Sequence, residues 1–214
     1  MKIGIIGTGN VGFALADGFI KYGHKVMIGS RDVTQEKVQS WKLKHGEVAG
    51  VGSFEETAKF GEVVVLATPW TGTKNAIKLA GVENLKGKVV VDPTNPLDFS
   101  GVTPPKLSVG QNDSAGETVQ RWLPESKVVK CWNIVGSAHM VDPDFPDGTP
   151  DMFICGNDAG AKKLVEDFVK TFGWNCIDMG EIGYSRFLEP LAMVWIVYGF
   201  NTDTWNHAFK LLRK

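Results

Sequence analysis

Short apolar runs alternate with helical patterns along most of the chain. The runs are rich in Val, Ile, Leu and Gly and recur at residues 2–6, 25–28, 48–51, 62–67, 88–92 and 127–132. Apolar runs of this length are typical of strands that a parallel sheet buries on both faces. Between the runs, apolar residues recur every three or four positions, as at Val11, Leu15 and Phe19, which is the period of an amphipathic helix. The alternation predicts an α/β fold with a Rossmann-type, doubly wound and mostly parallel sheet.

The pattern changes after residue 141. A linker rich in Pro, Asp and Gly at residues 142–151 is followed by a strand, an amphipathic helix and a further strand. Residues 188–200 are apolar on nearly every side, which predicts a buried helix. That helix either closes over the sheet or meets a second copy of the chain, and we favour a homodimer. We therefore expect a Rossmann domain at residues 1–141 and a small C-terminal α/β annex at residues 142–214 that ends in the buried helix.

Capping residues mark where several helices begin. The motif S-x-x-E, in which the first and fourth residues satisfy each other's backbone N–H groups, occurs at residues 53–56 and 114–117. Asp32 with Gln35 follows the same logic. We therefore expect Asp32 to cap a helix over residues 32–45.

The first apolar run leads directly into Gly7-Thr8-Gly9-Asn10-Val11-Gly12. A G-x-G-x-x-G motif between a strand and a helix is the fingerprint of a dinucleotide-binding unit. Gly7 allows the sharp turn, Gly9 lets the backbone approach a pyrophosphate, and Gly12 lets helix and strand pack closely. The free N–H groups and the positive dipole end of the helix face the phosphates. A merely structural glycine turn is the alternative, and the flanking strand and helix disfavour it.

The residues after the second run indicate which dinucleotide binds. NAD-selective folds place an acidic residue about 20 positions on, where it binds the ribose 2′-OH. Here the strand ends in Ser30 and Arg31, and a hydroxyl beside a bidentate, permanently charged guanidinium suits a 2′-phosphate. Asp32 is an alternative ribose ligand, but the helix cap is the better assignment. The motif therefore predicts NADP(H). Lys37 could help to neutralise the phosphate, but a solvated surface lysine is the preferred interpretation.

Further candidates follow the carboxyl ends of other strands, where a doubly wound sheet binds its ligands. After the run at 62–67 we expect cofactor contacts from Ala67, Thr68, Pro69 and Trp70. The alternative is that Pro69 opens the next helix and Trp70 packs beneath it. After the run at 88–92 we expect Asn95 at the cofactor. The stretch from residue 92 to residue 111 has no periodicity and is interpreted as a functional or mobile loop.

The run at 127–132 leads to the candidate substrate contacts Asn133, Ser137 and His139. His139 is also the candidate catalytic residue, because a histidine at this edge can donate a proton to a carbonyl. It could equally cap a turn. The chain has no nucleophile elbow, H-E-x-x-H motif or carboxylate pair at helical spacing, so neither a hydrolase site nor a metal site is expected.

The composition restricts the expected binding partners and location of the protein but indicates no particular reaction. The chain has 214 residues, of which 43% are hydrophobic, and a net charge of −1, which gives no support for nucleic-acid binding. Cys131, Cys155 and Cys176 lie in apolar stretches without C-x-x-C pairing and are expected to be buried thiols. The chain enters a strand at once and has no run of about 18 apolar residues. We therefore expect a cytoplasmic protein with neither a signal peptide nor a membrane span.

Taken together, these motifs resemble the NADPH-dependent coenzyme F420 reductase family. The resemblance is carried by residues 7–12, 29–32, 67–70, 91–96, 114–117 and 128–133. The oxidoreductase domain of STEAP-type metalloreductases is similar over the same span. Trp132 departs from the pattern, because the family commonly has Phe at this position.

Membership implies NADP(H) held by the glycine turn, with Ser30 and Arg31 on the 2′-phosphate. It also implies that a small-molecule redox co-substrate, F420 or a flavin (FMN or FAD), stacks on the nicotinamide. Direct hydride transfer between two rings requires proximity and orientation more than an acid or a base. The expected activity is therefore that of an NADP-dependent oxidoreductase. The alternatives are an NADPH-dependent reductase of a small ketone or imine, with His139 as proton donor, and a non-catalytic NADP(H)-sensing module.

Overall fold

The computed structural model describes residues 1–101 and 103–214, and the strands of these residues build one central sheet and a small hairpin. In chain order the strands are β1 (Lys2–Ile6), β2 (Lys25–Gly29), β3 (Ala49–Gly52), β4 (Val63–Leu66), β5 (Val89–Asp92), β6 (Leu97–Asp98), β7 (Lys106–Leu107), β8 (Lys127–Lys130), β9 (Asp151–Gly156) and β10 (Asn175–Asp178). The hairpin is β6 with β7, and the sheet has the order β10-β9-β8-β5-β4-β1-β2-β3. Neighbouring strands of the sheet are parallel except β8 and β9. The predicted Rossmann-type, mostly parallel sheet is confirmed.

Helices cover both faces of the sheet. They are α1 (Asn10–Lys21), α2 (Glu36–His45), α3 (Phe54–Phe60), α4 (Trp70–Ala80), α5 (Val82–Leu85), α6 (Ala115–Trp122), α7 (Ala159–Thr171) and α8 (Ser185–Thr202). On one face, α1, α2 and α7 contribute Phe19, Trp41 and Phe168 to the core. On the other face, α3, α4 and α6 contribute Phe54, Ile77 and Val119.

Strand β4 shows why the apolar runs are unbroken. Successive side chains of a strand point to opposite faces of the sheet, so Val63 and Val65 enter the core under α1, while Val64 and Leu66 enter the core under α4. All of them are at most 1% exposed. Because β1 lies between β2 and β4, the chain reverses its direction of winding there, and a crevice opens above the carboxyl ends of β1 and β4.

The C-terminal region extends the same sheet. β9 pairs antiparallel with β8, and β10 pairs parallel with β9. Helix α7 packs against α1, with the rings of Phe19 and Phe168 edge to face at 5.1 Å. The regions before and after residue 142 therefore share a core, and a domain boundary at 141/142 stays a prediction.

Helix α2 begins later than predicted. It covers Glu36–His45 rather than residues 32–45, and Asp32 does not cap it. Instead, Asp32 Oδ1 accepts hydrogen bonds from the backbone N–H of Thr34 (2.9 Å) and from its hydroxyl (2.6 Å). An aspartate satisfied by the residue two positions on forms a local turn, and that turn competes with a helix cap.

The two predicted capping boxes differ in outcome. Ser53 and Glu56 form both reciprocal hydrogen bonds. Ser114 accepts from the backbone N–H of Glu117, but the Glu117 carboxylate does not return to the Ser114 backbone, because it accepts a hydrogen bond from Arg186 Nε at 2.7 Å. The second box is therefore a simple N-cap, and its acidic residue joins α6 to α8.

Within this chain helix α8 is buried on one face only, so burial of its remaining apolar side by a second copy stays a prediction. Leu188, Ala192 and Trp195 are at most 8% exposed, whereas Phe187 is 63% exposed and Val194 57% exposed. Helix α8 packs against α6 and the hairpin strand β7 on one side, and within this chain the opposite apolar side is exposed. Among the described residues, the helices are too short or too polar to cross a bilayer.

The cysteines are free thiols in the part of the chain that the structure describes. Burial raises the pKa of Cys155 to about 11 and that of Cys176 to about 12, which keeps both as unreactive thiols at neutral pH. Within residues 1–101 and 103–214, no cluster of His, Cys, Asp or Glu is placed to hold a metal ion.

Candidate functional site

A groove over the carboxyl ends of β1 and β4 consists of two adjacent parts. The first, the Arg31 cavity, measures about 500 Å³ and is lined by Gly7, Thr8, Gly9, Gly29, Ser30, Arg31, Gln35, Lys37, Phe54, Ala67, Thr68, Pro69, Thr71, Gly72, Asn75 and Ala76. The second, the Phe99 cavity, measures about 680 Å³ and is lined by Gly9, Asn10, Val11, Leu66, Ala67, Thr68, Pro69, Trp70, Thr71, Pro93, Thr94, Asn95, Leu97, Asp98, Phe99 and Ser108. The two parts share Gly9 and the turn after β4 as lining and therefore lie side by side.

The glycine turn forms the floor between the two cavities. Gly7 has a φ of 127°, and a Cβ on it would lie 2.1 Å from the carbonyl oxygen of Ala67. A Cβ on Gly12 would lie 2.4 Å from the carbonyl oxygen of Gly7. A Cβ on Gly9, by contrast, would meet nothing within 4 Å, because it would project into the groove. Gly7 and Gly12 thus permit close packing, whereas Gly9 leaves room for a ligand beside the free N–H groups of α1.

Positive charge gathers at one end of the groove. Arg31 is exposed on the cavity wall, and Lys37 Nζ donates to the carbonyl oxygen of Thr8 at 3.0 Å. Ser30 is buried and its hydroxyl donates to the carbonyl oxygen of Asp32 at 2.7 Å. Hydrogen bonds from Thr34 hold the pKa of the Asp32 carboxyl below its usual value, and Asp32 does not line the cavity. A hydroxyl with two cations suits a phosphate dianion.

The turn after β4 both starts α4 and lines the groove, so a cofactor contact from it stays a prediction. Pro69 is the N-cap residue of α4, and Trp70 is the first residue of that helix. The Trp70 ring stacks on Trp122 of α6 at 5.4 Å with an interplanar angle of 16°. Both Pro69 and Trp70 also line the groove. Thr68 is fixed by a 2.9 Å hydrogen bond between its hydroxyl and that of Thr73.

The β6–β7 hairpin forms the outer wall of the Phe99 cavity. It occupies the stretch that the sequence analysis interprets as a functional or mobile loop, within which Val102 lies outside the described residues. Ser108 closes the hairpin by donating its N–H to the carbonyl oxygen of Pro96 at 2.7 Å. Phe99 is 69% exposed although it is aromatic, and its ring lies at the cavity mouth. An exposed aromatic ring beside an apolar cavity is available to stack on a planar ligand.

Comparison with known proteins decides the family. A family model described as NADP oxidoreductase, coenzyme F420-dependent, matches residues 2–96. The F420-dependent NADP reductase of Methanocaldococcus jannaschii is 36% identical, covering 92% of this chain and 91% of the relative. The chain belongs to the F420-dependent NADP reductase family.

Other relatives agree with this assignment. A crystal structure from Arthrobacter sp. FB24, assigned as an F420-dependent NADP reductase, is 39% identical, covers both chains completely and superposes with a TM-score of 0.94. Metalloreductase STEAP3 of Rattus norvegicus is 28% identical over 90% of this chain, which spans 36% of that protein. The family resemblance found in the sequence motifs is confirmed.

In this family member, none of the three predicted substrate residues lines the groove. Asn133 is 4% exposed and lies behind it, with Nδ2 donating to Asn95 Oδ1 at 3.1 Å. Ser137 and His139 lie in a short 3-10 turn. The His139 ring packs on Phe145, and its Nε2 contacts Asn206 Oδ1 at 3.0 Å. A role in catalysis for His139 or in substrate binding for Ser137 stays a prediction.

Several residues that line the groove were not among the predicted site residues. For Lys37 the sequence favours a solvated surface lysine over a phosphate contact, and Phe99 lies in a stretch without periodicity. The signals that could have found them are weak: a cation near the strand that ends in Arg31, and an aromatic residue in a Pro- and Gly-rich loop. Of the predicted cofactor residues, Gly12 supports the turn from behind, and all the others line the groove.

Proposed function

We propose that this protein transfers hydride between NADP(H) and coenzyme F420. The observation that carries the proposal is the groove formed by the two adjacent cavities, which is cationic at the Arg31 end and apolar at the Phe99 end, with the glycine turn between them. The adenosine 2′-phosphate would lie at Ser30, Arg31 and Lys37. The pyrophosphate would lie over Gly9 at the start of α1.

The nicotinamide and the acceptor ring would share the Phe99 cavity. Bound NADPH supplies a hydride there, and the residues of the chain have to hold two rings together and keep water out. Val11, Pro69 and Trp70 provide an apolar wall, Phe99 faces them from the hairpin, and Asn95 offers a polar edge. Thr68 follows β4 between the two cavities. Direct transfer between rings requires no proton donor at the reacting carbon.

The test is anaerobic NADPH oxidation by the purified protein, with F420 as acceptor and FMN in parallel. Turnover with F420 supports the proposal. Turnover with FMN alone would replace F420 by a flavin as the acceptor. NADPH binding without turnover on either would overturn the proposal in favour of another substrate or a sensing role.

Phe99→Ala is expected to raise the KM for F420 about tenfold, because a stacking surface at the acceptor is lost. The dissociation constant of NADPH should stay unchanged, since the Arg31 cavity is intact. Steady-state kinetics and fluorescence titration measure the two quantities. Phe99→Tyr keeps the ring and is the matched control. Equal KM values for the alanine and tyrosine variants would remove Phe99 from the acceptor site.

His139→Ala is expected to leave kcat with F420 nearly unchanged. A general acid contributes about 10²- to 10⁴-fold to a rate, so its loss is easily measured. The ring contacts Phe145 and Asn206 rather than the groove. A large loss of kcat with NADPH binding intact would instead favour reduction of a ketone or an imine.

We also propose that a second copy of the chain covers α8. Phe187, Leu191, Val194 and Tyr198 follow a four-three-four spacing, which places them along one side of the helix, and Phe187, Val194 and Tyr198 are 51–63% exposed. A homodimer would bury this stripe. Sedimentation should give a dimer for the wild type and a monomer for Val194→Asp. We propose in addition that the protein is cytoplasmic. Its free thiols fit this location, because the cytoplasm is a reducing compartment.

A further inference from the structure

A buried ion network lies directly behind the wall of the Phe99 cavity. Lys130, the last residue of β8, is 0% exposed, and its ammonium group makes three contacts: Asp92 Oδ2 at 2.7 Å, Glu189 Oε1 at 3.0 Å and the carbonyl oxygen of Thr94 at 2.8 Å. Burial lowers the pKa of Lys130, but Asp92 and Glu189 more than offset this effect and the pKa is raised. The lysine is therefore charged at neutral pH and is paired with two carboxylates.

Both carboxylates of the network are held by further hydrogen bonds. Asp92 Oδ1 accepts from the backbone N–H of Thr94 at 2.9 Å and from its hydroxyl at 2.6 Å. Glu189 accepts from the N–H groups of Ala115 and Gly116, each at 2.9 Å, at the start of α6. The network thus joins the end of β5, the start of α6 and the second turn of α8.

A second polar link connects the same elements. Asn133 Nδ2 donates to the carbonyl oxygen of Leu188 at 3.0 Å and to Asn95 Oδ1 at 3.1 Å. Asn95 Nδ2 donates back to the carbonyl oxygen of Asn133 at 2.6 Å. Two consecutive residues of α8, Leu188 and Glu189, are therefore tied to two consecutive residues of the cavity wall, Thr94 and Asn95.

Stability alone is a weak reason for such a network. Removing three charges from water is costly, and well-packed apolar residues in place of a buried ion network are often equally stabilising or more so. Geometry is a stronger reason, because a displacement of about 1 Å at a reacting centre can reduce a rate by about 100-fold.

We propose that Lys130 and Glu189 are positioning residues, which hold the Thr94–Asn95 wall where hydride transfer requires it. The inference rests on the proposed function, because the wall belongs to the proposed nicotinamide and acceptor site. Neither residue lines the groove. Their effect on the reaction passes through Thr94 and Asn95, while the affinity for NADPH is set mainly at the Arg31 cavity.

The test uses Glu189→Gln, which keeps the volume of the side chain, and Lys130→Met, which removes the ammonium group. We expect kcat with F420 to fall about tenfold or more in each, with the dissociation constant of NADPH within about threefold of wild type. Hydrogen exchange should be faster at the Thr94 and Leu97 amides. In the wild-type protein the Thr94 amide donates to Asp92 Oδ1, and the Leu97 amide donates to the carbonyl oxygen of Asn95.

Ser126→Ala is the matched control, because the buried Ser126 hydroxyl bonds to the carbonyl oxygen of Leu85 at 2.8 Å, away from the groove. It should lower the melting temperature and leave kcat unchanged.

If the network variants behave like this control, with wild-type kcat and wild-type hydrogen exchange, the network is structural and the proposal is overturned. The same conclusion follows if neither variant folds. If the wild-type protein does not turn over F420, the proposed function fails, and exchange at Thr94 and Leu97 decides the positioning role by itself.

Discussion

Gly9→Val is expected to abolish NADP(H) binding while the protein still folds. The backbone of Gly9 is extended, with φ of −87° and ψ of 179°, and valine adopts such angles readily. Its added carbons would meet no protein atom near the Cβ position and would occupy the space proposed for the pyrophosphate. We expect the affinity to fall by about 100-fold or more, equivalent to about 3 kcal/mol. Fluorescence titration with NADPH and thermal melting measure binding and folding separately.

Gly110→Val provides the matched control for this experiment. A Cβ on Gly110 also meets nothing within 4 Å, but Gly110 lies outside the groove, so both binding and melting should resemble wild type. Gly12→Val provides the contrast, because its Cβ would collide with the Gly7 carbonyl and should destabilise the fold. Unchanged NADPH affinity in Gly9→Val would remove the glycine turn from the binding site.

The features that the sequence predicted correctly depend on short stretches of chain. Val63 to Leu66 form a strand buried on both faces, and an unbroken apolar run is the local sign of that burial. The glycine turn is equally local, because the requirements at Gly7 and Gly12 concern neighbouring backbone atoms. Ser30 and Arg31 could be placed at the groove because the carboxyl end of a strand next to the glycine turn faces the ligand crevice.

The features that could not be predicted from the sequence depend on contacts between residues distant in the chain, or on a choice between two local hydrogen-bonding patterns. Lys37 reaches Thr8 and thereby enters the groove, a contact across 29 positions. Phe99 depends on a hairpin whose strands contain few residues and carry no detectable period. Asp32 can cap a helix or close a turn with Thr34, and nothing in its neighbourhood decides between the two. The side of α8 that its own chain buries depends on contacts with α6 and β7, which no pattern within the helix records.

Arg31→Ala is expected to weaken NADPH binding about 10- to 100-fold, because a hydrogen bond to a charged group contributes roughly 1.5–3 kcal/mol. NADH lacks the 2′-phosphate, so its weaker binding should change little. The ratio of the two dissociation constants therefore reports the phosphate contact and cancels any general effect on the groove. Titration of both cofactors against the variant and the wild type gives that ratio.

Two further variants separate geometry from charge at this position. Arg31→Lys keeps the charge but loses the bidentate guanidinium, and we expect an intermediate ratio. Lys42→Ala removes an exposed cation from the same helix as Lys37 but outside the groove, and its ratio should equal that of wild type. If Arg31→Ala weakened NADPH and NADH equally, Arg31 would act on the shared part of the cofactor. The preference for NADP(H) would then have to come from Ser30 and Lys37, the other groups at the cationic end of the groove.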